Sequence, residues 1–367
     1  MKIAHVKSLY GPIGGIESML EGVMPDLAAI PEANVTVFFV AHKHDADLER
    51  RLTADGAVDC RFIHWRGLKS LPLVAWQFSR ELKAAGIDVV HTHDMRANLL
   101  AATSKPFRRA RWLCQIHGWL GHTHKGVHRF YETIDRNLVR YADHVLVGSY
   151  ATLEEVRAQG AKSSSVAWNA VTLPAIEGAQ KTDLGLAKDK VIFTILGRLH
   201  AGKGQDLFLQ ALGKIRDNPH WHGMIVGVGE QDAQLKQLAQ DLGIFERVRF
   251  TGFVKTTSPW IAASDVIVVP SRKESLPLTC LEGMAHAKAV IVSEAGDLAR
   301  VVTHEQNGLV IPIGGVGRLA SAMQRLIENP DERKRMGLSA RRQIETHHTT
   351  GRLAEKMTEA ARDLLSR

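Results

Sequence analysis

The chain has 367 residues, more than one ordinary domain and enough for two, and its 45% apolar content lets each half build a core. A net charge of +8 favours anionic partners such as nucleotides, nucleic acid or an anionic membrane face, with clusters at Arg108, Arg109 and Arg111 and at Arg333 to Arg335. Three cysteines (Cys60, Cys114, Cys280) are too few and too scattered for a disulfide frame or zinc cluster, no apolar run approaches the ~20 residues of a membrane helix, and the opening Met1 to Lys7 lacks a signal-peptide core.

The first half alternates strand and helix. Ile3 to Val6 reads as a strand, Gly11 to Gly15 as a loop, Ile16 to Ile30 as a helix and Val35 to Val40 as a buried strand. A helix over Leu71 to Ala85 leads into an extended Ile87 to His93. Arg111 to Ile116 is a strand ending at His117-Gly118, and a helix over Arg129 to Arg140 precedes a strand at Asp143 to Val147. Val166 to Val171 closes this half, and Thr172 to Lys190 is weakly patterned, as a linker would be.

The rhythm then restarts. Val191 to Leu196 predicts a strand, followed by the loop Gly197 to Gly204. Gly223 to Gly229 reads as strand and turn, Gln231 to Leu242 as a helix, Val248 to Gly252 as a strand and Ser258 to Ala263 as a short helix. Asp265 to Pro270 is a buried strand, Ala289 to Val292 and Gly308 to Ile311 are the last strands, and Gly317 to Glu328, Glu332 to Glu345 and Thr349 to Ser366 are helical. Alternation of this kind implies parallel sheets covered on both faces, whose ligands bind beyond the carboxyl ends of the strands.

The most informative stretch is Arg272-Lys-Glu-Ser-Leu-Pro-Leu-Thr-Cys-Leu-Glu-Gly-Met-Ala285. It follows a buried strand and turns helical, with Ser275 suited to the N-cap and Pro277 to the first turn. Such a helix start offers unpaired N–H groups and partial positive charge to an anion. Glu274 and Glu282 frame it, eight residues or roughly 12 Å apart at about 1.5 Å per helical residue. Carboxylates accept hydrogen bonds from sugar hydroxyls, so a nucleotide sugar is the natural occupant.

Gly197-Arg-Leu-His-Ala-Gly-Lys-Gly204 comes within one residue of a phosphate-binding P-loop, but Gly204 stands where that loop needs Ser or Thr to ligate magnesium. No acidic residue ends a buried strand nearby, which argues against an NTPase. What remains is Arg198 and Lys203, two cations that can neutralise a departing diphosphate without a metal. Gly14-Gly15 permits close backbone approach to a ligand, and His117 at a strand end can donate to a sugar hydroxyl. Asp45-Ala-Asp47 with His42 and His44, the pair His91 and His93, and the pair His122 and His124 lack further ligands at metal spacing, so no metal site is expected.

In order along the chain, the Gly14-Gly15 loop, Asp88-Val-Val-His-Thr-His93, Gln115-Ile-His-Gly118, Asn169, Gly197-Arg-Leu through Lys203-Gly204, Gly227-Val-Gly-Glu230, Gly252-Phe-Val254 and Glu274 through Glu282 resemble the retaining glycosyltransferases of GT-B fold, family 4 or glycosyl transferases group 1. The resemblance implies an α/β GT-B fold, two Rossmann-like doubly wound parallel-sheet domains facing a cleft. Residues 1–171 would be the acceptor-side domain, 172–189 the linker, 190–348 the nucleotide-sugar domain, and 349–367 a helix crossing back. It implies Glu274, Lys203, Arg198 and His117 in catalysis. Donor binding would fall to Gly14, Gly15, Asn169, Gly197, Val254, Ser275, Leu276, Leu278, Thr279 and Glu282, with no metal and no cofactor beyond the nucleotide-sugar substrate. Pro277 has no N–H, so phosphate donors would come from Leu278 or Thr279.

The expected activity is metal-independent, retaining transfer of a sugar from a nucleotide diphosphate, with uridine the family's commonest base. The acceptor would be a hydroxyl of a glycan or lipid-linked glycan, in the cytoplasm or peripherally at the inner face of an anionic membrane. Two alternatives stay open: a nucleotide-sugar sensor that transfers nothing, and a GT-B sugar-nucleotide epimerase. Aromatics at 6%, not interleaved with the basic residues, disfavour nucleic acid.

Overall fold

The structure is a computed structural model that describes residues 1–9, 15–41, 58–119, 126–175 and 181–366. Two compact units divide it, Met1–Asn169 together with the carboxyl-terminal helix, and Ala170–Thr349.

The first unit holds β1 (Lys2–Leu9), α1 (Gly15–Ala28), β2 (Asn34–Ala41), β3 (Asp59–His64), α2 (Leu71–Ala85), β4 (Val89–Thr92), α3 (Met95–Ser104), β5 (Arg111–Ile116), α4 (Gly126–Leu138), β6 (His144–Val147), α5 (Tyr150–Ala158) and β7 (Ser164–Val166). Its sheet runs β3-β2-β1-β4-β5-β6-β7, every pair parallel. Interior strands β2, β4 and β5 are buried on both faces, which is why large apolar side chains (Val, Phe, Trp, Leu, Ile) stand at successive positions rather than strictly alternating with polar ones. Helix starts and stops follow local chemistry. Asp94 caps α3 by accepting from the N–H groups of Arg96 (2.9 Å) and Ala97 (3.0 Å), and Gly86 ends α2 with a left-handed φ of 66°.

The second unit holds β8 (Val191–Leu196), α6 (Gln205–Lys214), β9 (Trp221–Val226), α7 (Asp232–Asp241), β10 (Val248–Phe250), α8 (Ser258–Ala263), β11 (Val266–Val269), α9 (Leu278–Ala285), β12 (Ala289–Ser293), α10 (Leu298–Val301), β13 (Leu309–Ile311), α11 (Val316–Glu328) and α12 (Pro330–His347). Its parallel sheet runs β10-β9-β8-β11-β12-β13. The order reverses between β8 and β11, so the loops leaving these neighbours diverge and open a crevice at their carboxyl ends. The corresponding reversal in the first unit lies between β1 and β4.

α13 (Thr350–Ser366) belongs to the first unit, where it packs against α1, β5 and β6 and sets Arg362 against Glu32. Within the stretch expected as a linker, residues 172–175 and 181–189 are described, and they lie against the second unit's body. Pro174 O accepts from Arg341 Nη1 (2.9 Å), Lys181 Nζ meets Asp265 Oδ2 (2.6 Å), and Leu186 is buried. Asp265 Oδ2 also accepts from the N–H of Ile192 (2.7 Å), so one carboxylate pins this segment to the start of β8. β3 was not foreseen. Its sequence Asp-Cys-Arg-Phe-Ile-His buries only Ile63 fully, and as an edge strand it shows no apolar run.

Candidate active site

In the second unit, the loops after β8 and β11, with the helix α9 that follows the latter, carry most of the expected site. Lys203 ends a short 3-10 turn, Ala201–Lys203, whose start His200 caps through Nδ1, accepting from the Gly202 N–H at 3.0 Å. From this turn the Lys203 ammonium reaches Glu274 Oε1 at 2.5 Å, across from the β11 loop. Ser271 Oγ donates to the same oxygen at 3.0 Å. The Glu274 side chain is 9% exposed and that of Lys203 34% exposed, so the pair sits at the rim, where water does not fully screen it.

Neighbouring bonds fix the two loops to each other. Arg272 grips Asp206 at the start of α6 with two hydrogen bonds (2.8 and 2.6 Å) and donates to Ala201 O (2.7 Å), while its own N–H reaches Gly202 O (2.8 Å). Donating to the Asp206 carboxylate raises the Arg272 pKa. Gly204, at φ 76°, lies so close to the β11 loop that a Cβ would meet Pro270 O at 2.4 Å. The loop before α10 presses on the acidic motif from the other side. Gly296 has φ 58°, a Cβ there would meet Glu274 O at 2.3 Å and Ser275 O at 2.4 Å, and the Asp297 N–H donates to Ser275 O at 2.8 Å.

The start of α9 departs from expectation. Ser275 is not the cap; Pro277, with extended backbone (φ −73°, ψ 134°), is the capping residue and Leu278 the first helical one. Proline's fixed φ suits that position, and no side chain caps the helix. Among the described residues no acceptor meets the N–H groups of Leu278 and Thr279, so both remain available to an anion. Leu276 is buried, so its side chain faces the core and only its backbone can serve a ligand, whereas Ser275 is half-buried.

Glu282 lies one turn into α9, partly buried. Burial raises its carboxyl pKa, offset in part by a hydrogen bond from Thr257 before α8. Arg198, just past β8, has a side chain 72% exposed and 3.7 Å from Glu230. Gly197 precedes it with φ 132°, and Val254 is half-buried in the loop after β10. Cys280 on α9 is pushed up to about 12 by burial and then by the Glu274 carboxylate, so it stays a neutral thiol that packs.

The remaining expected residues belong to the first unit. Gly15 opens α1, and Gly14 lies outside the described residues. Asn169 is buried beside Gly148, where a Cβ would meet its Oδ1 at 2.2 Å. His117 is half-buried past β5, its ring stacked 6.2 Å from His93, and Gly118 takes φ 120°. The next residue, Trp119, is held by Asp135 of α4. Asp135 Oδ2 accepts from Trp119 Nε1 (2.8 Å) and Oδ1 from Asn98 Nδ2 (2.7 Å), and the Arg136 guanidinium lies 4.6 Å over the indole. Burial pushes Asp135 up to about 6 against these hydrogen bonds.

One histidine escaped the sequence reading. β1 pairs with β4 so that His5 faces His91, and this adds a third imidazole to the His91 and His93 pair. Their ligand nitrogens lie within 4.8 Å of one another, all buried, with His5 Nδ1 hydrogen-bonded to His93 Nε2 at 2.9 Å. The group has the donor set for a metal ion. The adjacent Asp94 is engaged with Lys7 (3.3 Å), Ser8 and the start of α3. Asp45, Asp47, His42, His44, His122 and His124 lie outside the described residues.

Comparisons with known proteins identify the family and the fold. The model for a glycosyl transferase 4-like domain matches residues 14–170, and that for glycosyl transferases group 1 matches residues 177–343. The chain is 27% identical over 370 residues to the lipopolysaccharide core biosynthesis glycosyltransferase LpsD of Rhizobium meliloti (strain 1021), covering 100% of this chain and 98% of that one. It is 32% identical over 177 residues, 46% of each chain, to a GDP-mannose-dependent alpha-(1-6)-phosphatidylinositol monomannoside mannosyltransferase of Mycobacterium tuberculosis. Anabaena HepE in complex with UDP-glucose has the same fold, with a TM-score of 0.82 at 21% identity over 99% of this chain and 100% of that one. With both models in register on its two parallel-sheet units, the chain belongs to the group 1 glycosyltransferases of GT-B type.

Proposed function

We propose that the protein is a retaining, metal-independent hexosyltransferase. It would take a UDP-sugar and glycosylate a hydroxyl of a glycan or lipid-linked glycan during cell-envelope polysaccharide or glycolipid synthesis in the cytoplasm. The observation that carries this reading is the Lys203–Glu274 pair at the mouth of the crevice, beside the open N–H groups of Leu278 and Thr279. A cation, two backbone donors and a carboxylate in one place match a diphosphate joined to a sugar. HepE was solved with UDP-glucose, and the name of the LpsD relative gives the lipopolysaccharide core; both favour this donor and acceptor class.

In this reading the donor separates the ion pair. Lys203 turns to the diphosphate, joined by Arg198, whose exposed side chain leaves its contact with Glu230. Glu274 then accepts from the sugar's hydroxyls, held by Ser271. Glu282 accepts from the ribose hydroxyls, Gly15 and Gly197 let backbone approach the phosphates, and the backbone near Val254 lies against the base. Ser275, Leu276 and Asn169 complete the donor's surroundings, and His117 serves the sugar's edge. The bond from the anomeric carbon to the phosphate oxygen breaks, its electron pair staying on the diphosphate. The acceptor oxygen bonds to the same face of that carbon, and its proton passes to the departing phosphate oxygen. The protein's task is to stabilise the departing anion and the electron-poor sugar between them.

The test is calorimetric titration with UDP-glucose, UDP-galactose, UDP-N-acetylglucosamine and GDP-mannose, followed by transfer assays with the product anomer read by NMR. One selective donor and a product of unchanged anomeric configuration are expected. Lys203→Ala should lower the rate about 100- to 1000-fold, the usual loss for one preorganised donor to developing charge. Donor binding without turnover would make the protein a sensor, and release of an altered sugar without acceptor would make it an epimerase. Inversion, or a GDP-sugar preference, would overturn the corresponding part of the proposal.

A further inference from the structure

Helix α2 covers one side of the first unit's sheet with Val74, Ala75, Phe78, Ser79 and Leu82 buried. Its opposite face carries Leu73, Trp76, Arg80 and Lys83 at helical spacing, with Leu73 66% and Trp76 46% exposed. The 3-10 turn before it, Leu68–Ser70, adds Leu68, 42% exposed, and Lys69. Two leucines and a tryptophan thus stand in solvent along one ridge, where a surface selected for solubility alone would place polar groups. The ridge runs the length of α2, about 22 Å for fifteen residues at roughly 1.5 Å each.

The charges on this ridge share a sign. From Arg66 to Ala85 there are four cations and one carboxylate, Glu81, and Arg61 Nη1 donates to that carboxylate at 3.3 Å. The Arg80 guanidinium lies 4.8 Å over the Trp76 ring, so charge and apolar surface form one patch. At the helix's carboxyl end a groove of about 450 Å³ opens between Lys83 and the exposed Phe107 and Arg109. Asp88 also lines it, and its carboxylate accepts from the Lys2 N–H at 2.8 Å. Tryptophan and leucine flanked by lysine and arginine, with a cation-lined groove beside them, match the boundary between lipid headgroups and acyl chains. Among the described residues no helix is long and apolar enough to cross a membrane, so contact through these residues would be peripheral.

We infer that the outward face of α2, with the preceding turn and the groove at its end, docks the protein on an anionic lipid bilayer. Leu68, Leu73 and Trp76 enter the interface while Lys69, Arg80, Lys83 and Arg109 meet phosphate headgroups. The inference deepens the proposed function by naming where a membrane-borne acceptor is met, and it rests on that reading for the acceptor alone.

Full-length protein is sedimented with vesicles of phosphatidylcholine and with vesicles containing phosphatidylglycerol, at low and high salt. Binding to the anionic vesicles alone, weakened by salt, is expected. Removing each cation near such a surface costs about fivefold, so replacing Arg80 and Lys83 together by Gln should weaken binding roughly 25-fold. Leu73→Ser with Trp76→Ser should weaken it at least about tenfold. Brominated lipid should quench wild-type fluorescence more than that of Trp76→Phe. Calorimetric donor binding in the same variants should match wild type, which separates this surface from the donor site. If the wild type ignores anionic vesicles, or the variants bind them as wild type does, the inference fails. It fails equally if the wild type is a dimer that Leu73→Ser with Trp76→Ser makes monomeric, since the face would then be a contact between copies.

Discussion

Asp135→Asn gives a sharp test of how the first unit holds the segment that carries His117. Asp135 is 2% exposed, and its two oxygens receive Asn98 Nδ2 and Trp119 Nε1. Burial, opposed by those hydrogen bonds, raises its pKa from 3.8 to about 6, with the carboxylates of Asp94 and Glu132 adding smaller pushes in the same direction. The folded protein therefore keeps a proton that the unfolded chain has lost between these two values. The group's stabilising contribution is complete below pH 3.8 and is lost as pH rises through 6. The rise of just over two pKa units, at about 1.36 kcal/mol per unit, makes that loss about 3 kcal/mol. Asn cannot ionise, so the variant lacks this dependence. Its amide N–H₂ can be accommodated, because the buried Asn98 Oδ1 meets no partner among the described residues and a flip of that amide offers it as an acceptor. Urea unfolding followed by tryptophan fluorescence from pH 4 to 7.5 should show the variant gaining about 2 kcal/mol on wild type across the window, the rest of the loss falling below pH 4. A constant difference between the two proteins over that range would refute the assignment of a protonated, buried Asp135.

Three further outcomes follow from the site. Gly296→Ala places a Cβ 2.3 Å from Glu274 O at a left-handed φ, so it should cost roughly 1–3 kcal/mol and reduce transfer by displacing Glu274, measurable by thermal unfolding alongside turnover. In the proposed reading Glu282→Gln exchanges one of the two oxygens offered to the ribose hydroxyls for an amide, at a group that burial already disfavours as an anion, so calorimetry should find donor binding weakened about tenfold and the unfolding temperature unchanged or higher. Arg272→Ala frees the turn that carries Lys203 from the β11 loop. KM for the donor should rise several-fold, with a smaller change in stability, because half of the broken contact is exposed.

Much of this architecture could be read from the chain because parallel strands buried on both faces are written as Val and Ile runs. β8 and β11 are continuous apolar segments, and α2 spans Leu71–Ala85, the range its pattern predicts. The edge strand β3 was hidden because its residues are half-exposed and polar. Cap chemistry misled at Ser275, since a good capping residue two places before proline was outweighed by proline's own fixed backbone. Pairings set by register or by loop approach had no local signal. Arg272 and Asp206 are 66 residues apart, and His5 meets His91 only because β1 and β4 are neighbours at the reversal of strand order. Asp135 falls inside the helix predicted over Arg129 to Arg140, and only packing against Asn98 and Trp119 makes it a buried acid.

Packing and chemistry meet at Gly204. The sequence places glycine where a magnesium-dependent phosphate loop needs a hydroxyl, and this could pass for drift from such a loop. The structure supplies a different reason. The residue takes a left-handed backbone, and any side chain would run into Pro270 O, so a serine or threonine could enter only by forcing the β8 and β11 loops apart. Those same loops bring Lys203 to Glu274 and tie Arg272 to Ala201 and Gly202. Their close approach therefore excludes a hydroxyl from this position and places an ammonium at the mouth of α9. One constraint on the backbone accounts for both, and in the proposed reaction the ammonium then offsets the charge of the departing diphosphate.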